Sequence, residues 1–363
     1  MKKIKIPLDI NPYEVTVGSD ILQLISSEIK KKKLFNNLFI LIDSNVDLIH
    51  GGKIRLNLSD YPAKIALVKI PSGEEYKSFE TLNMIYSSLL SENFGRDTLI
   101  VAIGGGVTGD ISGFAAATFM RGVQYAQIPT TLLAAVDSSV GGKTAINFGG
   151  TKNIIGAFYQ PKFVLTDLSF LKTLPKEEII SGLGEILKYS FLYDKTFYSL
   201  LEKNSENLLS LEERSLEKII SECIKIKSAV VVNDETEKGL RKILNLGHTF
   251  AHGYESFLHY SIKHGSAVIV GLLCAFILSR RMGLMSKPNF DKFSLFIKKF
   301  NPGFDYSGLD KEELYRIMLH DKKNRQGKIK FVLPIDIGQI AIDCEADKKD
   351  VLYTLAEAEG FFI

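Results

Sequence analysis

The feature that most constrains the fold is an apolar run that ends in a cluster of glycines. Residues 99–103 are continuously apolar, as expected of a buried parallel strand, and Gly104, Gly106 and Gly109 follow with the spacing G-x-G-x-x-G. A helix is predicted from about residue 110 onward. A strand that leads through glycines into a helix exposes backbone N–H groups to which a diphosphate can bind. The pattern predicts a dinucleotide site, and a glycine turn without a ligand is the alternative.

The carboxylate that would bind the ribose of a dinucleotide is not at its usual place. In this motif an acidic residue commonly follows about 20 residues downstream, at the end of a strand. The sequence has none there. Asp43, which ends the earlier apolar run 38–42, is the best candidate instead. We therefore predict a dinucleotide site in a variant arrangement.

Strand and helix signals alternate through the first half of the chain. The predicted strands there are 13–17, 38–42, 65–68, 99–103, 125–128 and 163–166, and the predicted helices include 21–33 and 79–90. This alternation is typical of a doubly wound parallel sheet. After about residue 175, helical periodicity dominates over 177–201, 211–232, 243–257 and 264–281, and the next strand signal is 329–333. We predict a Rossmann-like α/β domain over residues 1–175, a mostly α-helical domain over residues 176–363, and an active site in the cleft between them.

Bulk composition excludes several classes of protein. With 45 basic and 42 acidic residues, the net charge of +3 is too small to indicate nucleic-acid binding. No apolar run reaches the roughly 20 residues of a membrane span, and no apolar segment follows the charged N-terminus as in a signal peptide. The 3 cysteines are far apart, which argues against a disulfide framework. We expect a cytoplasmic protein.

The histidines are concentrated in one stretch of the predicted helical domain. His248 and His252 are four residues apart, which places them on one helix face, and His264 opens the next helix. Glu185 lies among apolar and small residues, where an unpaired charge is costly. Two histidines and one carboxylate are the ligands of a catalytic zinc with an open position. The alternative is structural histidines with a buried Glu185–Lys188 pair, and spacing alone does not separate the two.

Several separated motifs follow one another in a recognisable order along the chain. In the first half they are 71–77 (PSGEEYK), 104–110 (GGGVTGD), 121–122 (RG), 128–132 (IPTTL), 137–143 (DSSVGGK) and 152–153 (KN). In the second half they are 185–188 (EILK), 237–241 (EKGLR), 244–248 (LNLGH), 263–265 (KHG) and 321–324 (DKKN). Together they resemble the motifs of the 3-dehydroquinate synthase family, which belongs to the sugar-phosphate cyclases. The resemblance extends over essentially the whole chain.

The resemblance implies a reaction of the shikimate pathway, which leads to chorismate and the aromatic amino acids. Members of the family are phosphate-eliminating lyases that use NAD+ and a divalent metal, Zn2+ or Co2+. They convert 3-deoxy-D-arabino-heptulosonate 7-phosphate to 3-dehydroquinate and phosphate. A ring hydroxyl is oxidised, phosphate is eliminated, the ketone is reduced, the ring opens, and an intramolecular aldol reaction closes the carbocycle. The resemblance also implies a homodimer, with no nucleic-acid or membrane partner.

The resemblance assigns roles to individual residues. The implied metal ligands are Glu185, His248 and His264. The implied substrate-binding or catalytic residues are Lys143, Asn153, Arg121, Lys152, Lys188, Lys227, Arg241, Asn245, His252, Asp137 and Lys322. The residues implied to line NAD+ are Asp43, Glu74, Lys77, Gly104, Gly105, Gly106, Val107, Asp110, Thr130, Thr131 and Leu132, together with Lys143 and Lys152. So many cations suit a small substrate that carries both a phosphate and a carboxylate. The alternative for any single cation is a surface salt bridge, and the roles of Lys77 and Lys323 stay open.

Two positions depart from the family pattern. Ser266 stands where the family usually has Glu, and Thr151 stands where Gly usually precedes Lys152 and Asn153. The first departure bears on the orientation of His264, because a neighbouring carboxylate can set the tautomer of a histidine. The second bears on the loop that carries Asn153.

Proteins of the same fold provide three alternative functions for this chain. Another sugar-phosphate cyclase, such as an amino-dehydroquinate or valiolone synthase, would differ at substrate-pocket positions. Faster turnover of sedoheptulose 7-phosphate, which lacks the carboxylate, would favour this alternative. A metal-dependent polyol dehydrogenase would accumulate NADH, whereas a cyclase regenerates NAD+ in each turnover. A nucleotide-binding protein without activity would require lost ligands, and all three metal positions are present.

Overall fold

The computed structural model describes residues 1–31, 37–320 and 328–362. These residues form two compact units. The first, the sheet unit, comprises Met1–Leu174 and Leu211–Thr236, and the second, the helical unit, comprises Pro175–Ser210 and Glu237–Ile363. The chain therefore leaves the sheet unit, returns to it for one segment, and leaves it again.

The strands of the sheet unit account for most of the predicted ones. They are β1 (Lys2–Ile6), β2 (Tyr13–Gly18), β3 (Asn37–Asp43), β4 (Ile65–Ile70), β5 (Thr98–Gly104), β6 (Gln124–Pro129), β7 (Lys143–Phe148), β8 (Thr151–Phe158) and β9 (Phe163–Asp167). In the described part of the chain, seven of them form one sheet in the order β1-β2-β9-β6-β5-β3-β4. Its neighbouring strands are parallel, except that β1 pairs antiparallel with β2. The predicted α/β class is confirmed, with an antiparallel strand at one edge.

The helices are divided between the two units. The sheet unit contains α1 (Ile25–Lys31), α2 (Ser44–Leu58), α3 (Phe79–Ser91), α4 (Gly106–Thr118) and α8 (Glu213–Asn233). The helical unit contains α5 (Lys176–Leu192), α6 (Lys195–Lys203), α7 (Ser205–Leu209), α9 (His248–Phe257), α10 (His264–Arg281), α11 (Lys287–Ile297), α12 (Lys311–Leu319) and α13 (Lys348–Ala358). It also contains an antiparallel pair of strands, β10 (Phe331–Asp336) and β11 (Gln339–Cys344).

The continuous apolar runs of β3 and β5 have a simple explanation in the sheet. Both strands lie inside the sheet and have a packed layer on each face. Leu38, Ile40 and Ile42 join the core on one side, while Phe39 and Leu41 join the core on the other. Because successive side chains point to opposite faces, a strand covered on both sides must be apolar at every position.

The domain limits predicted from the sequence differ from the structure in one respect. The helix predicted over residues 211–232 is α8, which belongs to the sheet unit and not to the helical one. It packs against β1, β2 and the short helical segment Ala134–Ser138. Residues 176–363 therefore do not form one unit. Helical periodicity indicates that one face is apolar, but it does not indicate which element covers that face.

Several elements have no strong signal in the sequence. The hairpin β7–β8 was not predicted, because β8 is largely exposed and alternates weakly between apolar and polar residues. The predicted helix 177–201 is two helices, since α5 ends at Leu192 and Asp194 caps α6 through the backbone N–H of Phe197 at 2.9 Å. The predicted helix 243–257 begins only at His248, after a 3-10 turn.

α10 is the central helix of the helical unit. By length and composition it is the one described helix that could cross a membrane, and 83% of its apolar window is buried in the structure. It packs against α5, α9, α11 and α13. This is the environment of a core helix.

Candidate active site

The predicted glycine turn joins β5 directly to α4. Gly104 ends the strand and Gly106 begins the helix, about one turn earlier than the sequence indicated. A Cβ atom on Gly104 would lie 2.6 Å from the side chain of Thr108, and one on Gly109 would lie 2.9 Å from the side chain of Gln127 on β6. Close packing of strand, turn and helix therefore leaves no room for a side chain at Gly104, whereas at Gly109 the flexible end of Gln127 would have to shift. No side chain caps the helix N-terminus, so its first N–H groups remain suited to an anion.

The threonines that follow β6 lie beside this turn. The backbone N–H of Thr130 donates to the carbonyl oxygen of Gly104 at 3.0 Å. The hydroxyl of Thr131 accepts from the N–H of Ala134 at 3.2 Å, so it closes the turn locally. The Thr130 hydroxyl is buried and has no hydrogen-bond partner among the described residues. Leu132 is fully buried.

Asp43 has a structural role at the end of β3. Its Oδ1 accepts from the backbone N–H groups of Asn45 at 2.9 Å and Val46 at 3.2 Å, and so caps α2. Ser72 donates to the same oxygen at 2.7 Å. Because β3 and β5 are parallel neighbours, Asp43 lies at the sheet edge where Gly104 ends its strand. A cofactor role for Asp43 stays a prediction beside this capping role.

Lys77 contacts one residue predicted to bind the cofactor and one predicted to bind the substrate. Its ammonium group is 4% exposed and donates to Asp110 Oδ2 at 2.5 Å and to Asn153 Oδ1. Burial raises the pKa of Asp110, and the Lys77 charge opposes that rise. The sequence left Lys77 ambiguous, and the structure places it between a residue expected at the cofactor and one expected at the substrate.

Asn147 extends this network and was not predicted from the sequence. Its side chain donates to Glu74 Oε1 at 2.9 Å and accepts from the N–H of Asn153 at 2.9 Å. Its own N–H donates to the carbonyl oxygen of Lys77 at 2.7 Å. Asn153 has a positive φ of 53°, a conformation that asparagine tolerates better than most residues. No local signal marks Asn147, because its contacts arise only when the β7–β8 hairpin forms.

Lys227 and Asp137 form a second pair within the sheet unit. The buried Lys227 ammonium lies 2.9 Å from Asp137 Oδ1 and donates to the Asp137 carbonyl oxygen at 2.7 Å. Lys143 is exposed and Lys152 is half-buried. Arg121 is exposed and forms no hydrogen bond or ion pair with a described residue. The structure therefore pairs Lys227 with Asp137 but does not bring Arg121 to them.

The three predicted metal ligands come together in the helical unit. Glu185 lies on α5, and His248 and His264 are the first residues of α9 and α10. Glu185 Oε1 lies 3.3 Å from His248 Nε2 and 3.4 Å from His264 Nε2. One ligand atom from each residue lies within 4.8 Å of the other two. This spacing fits one ion held by three protein ligands.

Glycines bring the three ligand-bearing helices into contact. A Cβ atom on Gly184 would lie 2.1 Å from the carbonyl oxygen of Gly265, so the backbones of α5 and α10 touch there. A Cβ atom on Gly271 would lie 2.2 Å from the carbonyl oxygen of Gly247, just before α9. Gly184, Gly265 and Gly247 are each adjacent in the chain to a metal ligand. The absence of side chains at these positions therefore determines how closely the ligands approach.

Glu185 and Lys188 form the buried pair that spacing also allowed. The side chains are 1% and 2% exposed, and they form an ion pair. Burial raises the pKa of Glu185, but Lys188, His248 and His264 together lower it well below its usual range. Neither Glu185 oxygen accepts a hydrogen bond of good geometry from another described residue. A buried, ionised carboxylate of this kind suits a cation, so the donor set fits a divalent metal.

The surroundings of the two histidines shift their pKa values in opposite directions. Burial lowers the pKa of His248 to about 4, and its Nδ1 lies 3.1 Å from the carbonyl oxygen of Leu246. Burial also acts to lower the pKa of His264, but Glu255 and Glu185 raise it to about 10. At neutral pH His248 is therefore uncharged, with its Nε2 lone pair facing Glu185, while His264 carries a proton that a metal would displace.

Of the remaining predicted residues of the helical unit, Arg241 and Asn245 lie in the 3-10 segment Leu240–Asn245, and His252 lies on α9. Arg241 is 1% exposed. Asn245 donates to Glu237 Oε1 at 3.1 Å. The His252 ring centroid lies 5.6 Å from that of His248 and 6.0 Å from that of His264. Lys322 and Lys323 lie outside the described residues.

Comparison with known proteins decides the family. Residues 67–181 match the 3-dehydroquinate synthase N-terminal family and residues 182–324 match the 3-dehydroquinate synthase C-terminal family. The chain belongs to the 3-dehydroquinate synthase family. Within it, the 3-dehydroquinate synthase of Shewanella pealeana is 43% identical over 94% of this chain and 95% of its own length. That of Prochlorococcus marinus strain AS9601 is 42% identical over 97% of this chain and 98% of its own length.

A solved structure extends the comparison to three dimensions. The chain is similar to 2-deoxy-scyllo-inosose synthase, crystallised with carbaglucose-6-phosphate, NAD+ and Co2+, with a TM-score of 0.89 and 26% identity. The match covers 98% of this chain and 99% of that one. The predicted resemblance and fold class are thereby confirmed, whereas the roles of individual residues stay predictions.

Proposed function

We propose that this protein is a 3-dehydroquinate synthase that converts 3-deoxy-D-arabino-heptulosonate 7-phosphate to 3-dehydroquinate and phosphate. The observation that carries the proposal is the convergence of Glu185, His248 and His264 in a chain that matches this family in both halves. The finer assignments below rest on the resemblance and on the geometry of the described residues.

NAD+ and a divalent metal are the proposed cofactors. Support comes from the related cyclase crystallised with NAD+ and Co2+, and from the buried, ionised Glu185 beside two histidine Nε2 atoms. When bound, the metal would supply Lewis acidity toward a substrate oxygen, and NAD+ would supply a hydride acceptor that is regenerated. Glu185, His248 and His264 would hold the metal.

In the sheet unit, the turn of Gly104, Gly105 and Gly106 would hold the diphosphate of NAD+ at the start of α4. This assignment is supported by the uncapped helix N-terminus and by the packing that makes Gly104 necessary. Asp43 would offer its second carboxylate oxygen to the ribose. Glu74, Val107, Asp110, Thr130, Thr131 and Leu132 would complete the cofactor site.

The Lys77 network would orient Asn153 toward the substrate. Lys77 donates to the side-chain oxygen Oδ1 of Asn153. This leaves the side-chain NH2 group of Asn153 to donate to a hydroxyl or phosphate. Lys143, Lys152 and Arg121 would bind phosphate and hydroxyl groups through charge-assisted hydrogen bonds. Lys227 would contribute its charge while Asp137 positions it.

In the helical unit, basic and amide side chains would bind the substrate carboxylate and remaining hydroxyls. These residues are Lys188, Arg241, Asn245 and Lys322. Lys188 and Arg241 are buried cations, and their charge suits a substrate carboxylate. His252 would assist phosphate elimination, in which the substrate's own phosphate takes the proton.

We expect the protein to be a cytoplasmic homodimer that binds a sugar-acid phosphate. We expect it to bind neither nucleic acid nor a membrane. The net charge of +3 supports the absence of a nucleic-acid partner. The burial of α10 supports its role as a core helix.

Phosphate release from 3-deoxy-D-arabino-heptulosonate 7-phosphate tests the proposal directly. Metal-loaded protein with catalytic NAD+ is expected to release phosphate and form 3-dehydroquinate, while NADH absorbance stays flat. Net accumulation of NADH without phosphate would instead identify a dehydrogenase. Faster turnover of sedoheptulose 7-phosphate, which lacks the carboxylate, would identify another cyclase.

A further inference from the structure

The two ring nitrogens of His264 face different carboxylates. Nε2 lies 3.4 Å from Glu185 Oε1, and Nδ1 lies 3.1 Å from Glu255 Oε2. The first carboxylate belongs to the proposed metal site. The second, Glu255, was not identified from the sequence.

Glu255 is placed by the same helix that carries the other two histidines of the site. His248, His252 and Glu255 are at positions i, i+4 and i+7 of α9, so they share one face. Glu255 is 3% exposed, and a buried carboxylate requires a hydrogen-bonding or charged partner. Its contact with His264 therefore joins the start of α10 to the last turn of α9.

The contact determines which nitrogen of His264 can bind a metal. A carboxylate accepts a hydrogen bond from Nδ1–H, which leaves the Nε2 lone pair directed toward Glu185 once the second proton is lost. His248 has the same arrangement, since its Nδ1 faces the carbonyl oxygen of Leu246 at 3.1 Å and its Nε2 faces Glu185. Both histidines are thus held through Nδ1 and offer Nε2.

We propose that Glu255 is a positioning residue that orients His264 for metal binding. The inference rests on the proposed metal site and adds to it a residue outside the three ligands.

Direct measurement of metal affinity tests this role without relying on activity. Metal-free wild-type protein, Glu255→Ala and Glu255→Gln are titrated with Zn2+ against a competing chelator. Loss of a carboxylate that hydrogen-bonds to a metal ligand typically weakens binding about 10- to 100-fold, and this is the expected result for Glu255→Ala. Glu255→Gln keeps an oxygen that can accept from Nδ1–H, so it is expected to lose less. The visible absorption of bound Co2+ is expected to change in Glu255→Ala, because the orientation of His264 changes.

Glu178→Gln is the matched control for loss of a negative charge near His264. The Glu178 carboxylate lies 2.6 Å from the ammonium group of Lys263, the residue before His264. It is not among the described metal-ligating groups, so unchanged Zn2+ affinity is expected. Far-UV circular dichroism and NAD+ binding verify that each variant is folded.

The outcomes separate this inference from the proposed function. Absence of Zn2+ binding by the wild-type protein would overturn the metal site itself, and this inference with it. Normal wild-type binding with unchanged affinity in a folded Glu255→Ala would overturn the role of Glu255 alone. Equal losses in Glu255→Ala and Glu255→Gln would indicate that charge matters and not the hydrogen bond. If Glu255→Ala lost a second equivalent of bound metal that the wild-type protein holds, Glu255 would be a metal ligand together with His252. Either of these last two results would overturn the positioning role.

Discussion

Substituting Gly184 by alanine should separate the two helices that carry Glu185 and His264. The added Cβ atom would lie 2.1 Å from the carbonyl oxygen of Gly265, whereas real Cβ atoms are essentially never closer than 3.0 Å to such an atom. The backbones of α5 and α10 must therefore move apart by about 0.9 Å, the difference between these distances. The obstructing atom belongs to a backbone and cannot rotate away.

The expected loss follows from this displacement. Overpacking a close contact costs about 1–3 kcal/mol, and a contact with a backbone atom justifies the upper value of about 3 kcal/mol. A displacement of about 1 Å at a site can lower the rate about 100-fold, so kcat/KM and metal affinity should both fall. The chain has no tryptophan, so unfolding of the metal-free protein is best followed by far-UV circular dichroism.

Gly52→Ala provides the matched control for the same chemical change. Gly52 lies within α2, and a Cβ atom there would have nothing within 4 Å. Alanine is about 0.5–1 kcal/mol better than glycine inside a helix, so this variant should be slightly more stable and fully active. If Gly184→Ala behaved like Gly52→Ala in both assays, the close contact of α5 and α10 would not be what brings the ligands together.

Three further outcomes are expected. His264→Ala should lose bound metal and activity while NAD+ binding persists, and full zinc stoichiometry in that variant would contradict the ligand assignment. Arg241→Ala should raise KM for the heptulosonate by about 10-fold or more, because a charge-assisted contact worth about 1.5–3 kcal/mol is lost. Unchanged kinetics would show that Arg241 does not contact the substrate. Metal affinity should rise with pH over roughly pH 6 to 9, since metal must displace a proton from His264. The His264 pKa is raised to about 10 and that of His248 is lowered to about 4, so only His264 holds a competing proton in this range. A flat titration by isothermal calorimetry would contradict this assignment.

Local patterns explain how much of the site could be predicted. Glu185 was identifiable because its neighbours are apolar or small, and His248 and His252 because their spacing matches a helix face. Asn147 and Glu255 were not identified, because each acts through a contact with a residue that is distant along the chain or on another helix. Arg121 illustrates the opposite case, since its motif is clear in the sequence but the described structure gives it no partner.

The sequence by itself determined the sheet, the glycine turn and the family, and it identified Glu185, His248 and His264 as candidate metal ligands. These features depend on short-range patterns, namely apolar runs, helical spacing and ordered motifs, which are visible along one chain. Only the tertiary structure decided that α8 belongs to the sheet unit, that Lys77 joins Asp110 to Asn153, and that Glu255 faces His264. Periodicity indicates that a face is buried but not which surface covers it. How closely side chains of different helices approach one another depends on how closely the helix backbones pack at glycines such as Gly184 and Gly265.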